Sequence, residues 1–145
     1  MKDYHKVKHR NHSGRCSKCI EIFNVFPDFN EELKAWFWLK HTELGNTHIS
    51  EAGRSEFMQE KLYKEKKTKA HYGQSAHNFN MAIDIFFIDD KGKLSYEKQR
   101  YTLLTRDLPT SIKWYGEPGS FFYELPHFEI RDWRNMGDRK LVEEV

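Results

Sequence analysis

At 145 residues, 38% hydrophobic and 32% charged, the chain is long enough to form one domain with a core of its own. Its 24 basic and 22 acidic residues leave a net charge of only +2, without the one-sided surplus of a nucleic-acid binder. No run approaches the ~18 apolar residues of a membrane-spanning helix, so no stable membrane insertion is expected. The basic start has no apolar segment behind it, so no export signal is visible and synthesis in the cytoplasm is expected.

Residues 1–20 are polar, basic and rich in histidine, and they read as an N-terminal arm preceding a single domain over 21–145. Within the arm, His9, His12, Cys16 and Cys19 form HxxH followed by CxxC, a candidate structural zinc knuckle. The spacing is tighter than in common fingers, and the plainer reading is an arm with ordinary reduced thiols. Two cysteines exclude a disulfide framework as the basis of the fold.

The next stretch, "FPDFNEELKAWFWLKHTELG", predicts a helix. Asp28 or Asn30 can cap it, Phe29, Leu33, Trp36, Phe37 and Leu44 share a face, and Gly45 ends it. "NTHIS" is a short strand, and "RSEFMQEKLYKEKKTKA" a second helix that becomes lysine-rich as it ends. "MAIDIFFID" is the strongest strand of the chain and is closed by the turn sequence "DDKG". "LSYEKQRYTLLTRDL" returns to helical spacing and stops before Pro109, and "HFEI" is a last strand. The order lacks the regular alternation of a parallel sheet, so the expected class is α+β, a small antiparallel sheet flanked by helices. The lysine run reads as a solvated helix end with Glu60 and Glu65 interleaved, and the aromatic clusters "WFW" and "FFY" read as core.

His77, Asp84 and His127 carry the chemical signal. A catalytic zinc takes three protein ligands and leaves a fourth position open. A loop histidine, an aspartate entering a strand and a histidine from an adjacent antiparallel strand can deliver such a set. Glu124, three residues before His127, can then sit beside the metal as a general base without being a ligand. With eight histidines in the chain, such spacings also arise by chance, and each residue alone has a structural reading.

The pattern "SAHNFNMAID" resembles the SxHxxGxAxD signature of the zinc peptidases that group lysostaphin-like enzymes, D-Ala-D-Ala peptidases and hedgehog domains. "ELPHFE" resembles the second signature of that family. "ISEAGRSEFMQEKLY" and "IKWYG" are similar to flanking segments of its L-alanyl-D-glutamate peptidase and D-Ala-D-Ala carboxypeptidase branch, found among phage endolysins and wall enzymes. The likeness runs from about residue 45 to 130. It implies zinc ligands His77, Asp84 and His127 and Glu124 as general base and then acid. It also implies Arg54 at the substrate or developing oxyanion and Ser75 near the bound peptide. The family glycine is replaced by Asn80, the residue that best tolerates a positive φ.

The resemblance therefore implies a monomeric zinc hydrolase that cuts an amide bond of the peptidoglycan stem peptide. L-alanyl-D-glutamate endopeptidase action by a phage or prophage endolysin, released through a holin-type pore, ranks first. A D-Ala-D-Ala carboxypeptidase or dipeptidase is the alternative within the family. A non-catalytic zinc module of the same fold is a further one, against which Glu124 and Arg54 speak. A nucleic-acid binder built on the arm is disfavoured by the charge balance.

Overall fold

The structure is a computed structural model that describes residues 14–119 and 124–143. His9 and His12, half of the expected knuckle, lie outside the described residues. Among the described residues, the architecture is an antiparallel five-stranded sheet with helices packed on it, the α+β class expected from the sequence.

Helix α1 (Ser17–Val25) buries Cys19 and Phe23, four residues apart on one face. Its nine residues carry too short an apolar period to stand out in the sequence, and no element was expected there. Helix α2 (Glu31–Leu44) is the first of the helices that the sequence outlines. Asn30 caps it, with Oδ1 accepting the Leu33 N–H at 2.9 Å, and Gly45 closes it at φ +78°. Strand β1 (Thr47–Glu51) leads to α3 (Glu56–Lys64), capped by the Ser55 hydroxyl on the Met58 N–H. A short 3₁₀ turn (Ala76–Phe79) precedes β2 (Ala82–Ile88), and β3 (Leu94–Ser95), α4 (Lys98–Leu104), β4 (Ile112–Trp114) and β5 (His127–Ile130) follow. β4, only three residues long, was not legible as a strand.

The strands lie in the order β1-β2-β5-β4, with β3 pairing β2 off that path, and every pair is antiparallel. Alternation along β2 decides the use of each face. Ile83, Ile85 and Phe87 are buried in the core, where Phe128 of β5 packs against Trp36 of α2 at 5.2 Å between ring centroids. Asp84 projects to the opposite face. Register then sets its neighbours: Asp84 pairs with His127 on one side and with Glu51 on the other. A bulge between Ile49 and Glu51 produces the second pairing by inserting one extra residue into β1. Three ionisable side chains thus form a row across β1, β2 and β5.

A glycine secures the approach to β5. A Cβ on Gly116 would lie 2.3 Å from the Trp114 indole, so only glycine lets the chain turn over that ring. The indole N–H in turn donates to the Leu125 carbonyl at 2.7 Å, holding the segment that leads into His127.

Candidate metal centre

His77 comes from the 3₁₀ turn, and local hydrogen bonds explain its placement. Ser75 is the N-cap of that turn, its hydroxyl accepting the His77 N–H, and Asn78 completes a capping box. The Asn78 Oδ1 accepts the N–H groups of Gly73 and Ser75, while its Nδ2 donates to the Arg54 carbonyl and to Gln59 Oε1. Asn80 ends the turn at φ +59°, ψ +32°, so asparagine here adopts the left-handed conformation for which the related signature uses glycine. That geometry turns the chain from the His77 loop directly into β2.

The three expected ligands meet. His77 Nε2 lies 3.3 Å from Asp84 Oδ1, His127 Nδ1 lies 3.1 Å from the same oxygen, and one donor atom from each of the three residues falls within 4.8 Å of the others. Bonds of about 2.0–2.1 Å to a tetrahedral ion would place neighbouring N and O donors about 3.3 Å apart. The spacing fits an ion of that kind.

Second contacts orient the rings. His77 Nδ1–H donates to the Ala52 carbonyl at 2.7 Å, which directs the Nε2 lone pair toward Asp84. His127 Nε2–H donates to Glu129 Oε1 at 2.8 Å, which leaves Nδ1 facing the same point. Glu129 is itself held at Oε2 by the Tyr115 hydroxyl and the Trp133 indole N–H, both at 2.9 Å. This carboxylate–histidine arrangement was not assigned from the sequence. The "HFE" continuation of the second signature carried the signal, because a strand places residues 127 and 129 on one face.

Electrostatics follow from the geometry. Burial opposes a charge on Asp84, but His77 and His127 outweigh it and hold its carboxyl far below the usual carboxylate range. Burial likewise opposes a charged His127, yet hydrogen bonds to Asp84 and Glu129 push its pKa up to about 10. In the metal-free protein His127 therefore keeps a proton between two carboxylates. A metal ion would take that proton's place.

The site opens into a cavity that Glu124, Arg54 and Ser75 also line. Glu124 is exposed, directly ahead of β5, with its backbone N–H on the Tyr115 carbonyl. Arg54 is pinned by Glu51 through Nη2 and by Gln59 Oε1 through Nη1 at 3.0 Å. Lys66, Lys67 and Lys69 of the lysine-rich segment border the cavity, together with Arg134. The segment read as a solvated helix end is thus one basic wall of the site. A second group that could hold a metal is Cys16, Cys19 and His48, in which the two expected cysteines meet a histidine from β1.

Among the described residues, no helix is long and apolar enough to cross a membrane. No family model and no curated protein matches the chain. Among solved structures it is similar to the L-Ala D-Glu endopeptidase ChiX of Serratia marcescens, at 18% identity and a TM-score of 0.59, covering 77% of this chain and 87% of that one. The chain shares its fold with that endopeptidase.

Proposed function

We propose that this protein is a zinc metallopeptidase that hydrolyses an amide bond of the peptidoglycan stem peptide, as an L-alanyl-D-glutamate endopeptidase of phage or prophage endolysin type. The observation that carries the reading is the meeting of His77, Asp84 and His127 at a cavity bordered by Glu124, in a fold shared with an L-Ala D-Glu endopeptidase. Those three residues would hold the ion, which when bound supplies Lewis acidity to the scissile carbonyl and to water.

The protein's own groups do the rest. Glu124 accepts a proton from the attacking water and returns it to the leaving amine. Arg54, held in place by Glu51 and Gln59, stabilises the charge that develops on the carbonyl oxygen. Ser75 holds the loop that presents His77 and borders the bound peptide. Lys66, Lys67, Lys69 and Arg134 suit a stem peptide whose residues carry free carboxylates.

Mass spectrometry of purified peptidoglycan after digestion tests the reading. New termini at L-Ala and D-Glu are expected. Release of terminal D-Ala would reassign the enzyme as a carboxypeptidase, and intact muropeptides with zinc-loaded protein would leave only a binding module.

A further inference from the structure

We propose that Cys16, Cys19 and His48 form a second, structural zinc site, separate from the His77–Asp84–His127 centre. The cysteines flank the start of α1: Cys16 is its N-cap and Cys19 lies in its first turn. His48 reaches the same point from β1. All three side chains are buried, and one donor atom from each lies within 4.8 Å of the others.

The spacing of the donor atoms is compatible with a shared ion. Cys19 Sγ and His48 Nδ1 are 3.9 Å apart. Tetrahedral zinc with Zn–S of about 2.3 Å and Zn–N of about 2.0–2.1 Å would set sulfur and nitrogen about 3.6 Å apart. The two cysteines are not joined in a disulfide. The Ile49 backbone N–H points at Cys19 Sγ at 3.4 Å, a donor suited to a thiolate, and a helix N-terminus lowers thiol pKa.

A third imidazole braces the group without joining it. His41, at the end of α2, donates from Nδ1 to the Thr47 carbonyl at 2.6 Å and accepts the Cys16 N–H on Nε2 at 3.2 Å. It thereby fixes both backbone stretches that carry the ligands. Two thiolates and an imidazole suit zinc among the common divalent ions, the fourth position falling to a ligand outside these three, and an ion bound only by the folded chain contributes folding free energy. The ligand set differs from HxxH–CxxC: the cysteines meet a histidine 29 residues beyond Cys19. The site ties the start of α1 to the beginning of β1, whose far end supplies Glu51 to Arg54 and is followed by the Ala52 carbonyl that orients His77.

Zinc K-edge absorption on the full-length protein, purified without chelator, decides the matter. The expected spectrum contains a sulfur shell at about 2.3 Å. The double variant Asp84→Ala with His127→Ala should keep that shell while losing the other ion. Cys16→Ser with Cys19→Ser should lose the shell and lower the melting temperature. A wild-type spectrum with no sulfur shell would overturn the proposal, and it needs no variant to fold. So would zinc-replete native protein whose thiols react as fast as free cysteine, or a Cys16–Cys19 disulfide in the reduced preparation. A sulfur shell in protein that cuts no peptidoglycan would uphold this site while rejecting the peptidase reading.

Discussion

Glu124 and Glu129 stand on either side of His127 and are expected to fail differently. Glu124 lines the cavity in the proposed role of base, so Glu124→Gln should leave zinc in place and lose at least about two orders of magnitude in turnover. Zinc content and muropeptide cleavage, measured on one preparation, check both halves. Glu129 instead holds the His127 ring. Glu129→Gln should weaken zinc at this centre by about 10–100-fold, as read by competition with a chelator. The same residues set a pH dependence. Because His127 has its pKa pushed up to about 10, zinc must displace a proton throughout the neutral range. Affinity at this centre should therefore rise as pH increases from 6 toward 10. An affinity independent of pH over that span would show that His127 carries no competing proton.

The 3₁₀ turn and the β1 bulge are the elements that turn a sheet into a site. Asn80 at φ +59° reverses the chain between His77 and β2, where a β-branched residue is strained. Asn80→Gly should be tolerated, whereas Asn80→Val should cost about 1–2 kcal/mol in denaturant unfolding and weaken zinc binding through the displaced loop. Equal stability and zinc affinity for wild type and the valine variant would refute that account. The capped helix α2 was legible because Asn30, the apolar stripe and Gly45 all agree. α1 and β4 were not, because nine and three residues hold too little periodicity, and tertiary packing of Cys19, Phe23 and Trp114 stabilises them instead.

At the scale of the molecule, core and site share one strand. Along β5, His127 and Glu129 face the centre while Phe128, fully buried, packs against Trp36 and stacks with Trp114 at 6.2 Å. Phe128→Ala should cost about 3–5 kcal/mol, a large share of the ~5–15 kcal/mol that holds an ordinary domain together. Because the emptied position lies between the two site residues, zinc affinity should fall along with the melting temperature. A variant that lost stability but kept full zinc affinity would show that the sheet face is rigid independently of its core.

From the sequence alone came the α+β class, the capped helix, the strong strand and the three residues His77, Asp84 and His127. The class, the helix and the strand are written locally, in spacing, caps and alternation along a few residues, and the three residues are what the resemblance of two short signatures implies. What only the tertiary structure decided is what those residues touch. The pairing of Glu51 with Asp84 depends on a bulge, the hold of Glu129 on His127 depends on Tyr115 and Trp133 arriving from elsewhere, and the lysines reach the cavity by the path of the chain after α3. The meeting of Cys16 and Cys19 with His48 is of the same kind. Contacts between residues far apart in the chain are set by register and packing, and neither is visible in a local pattern.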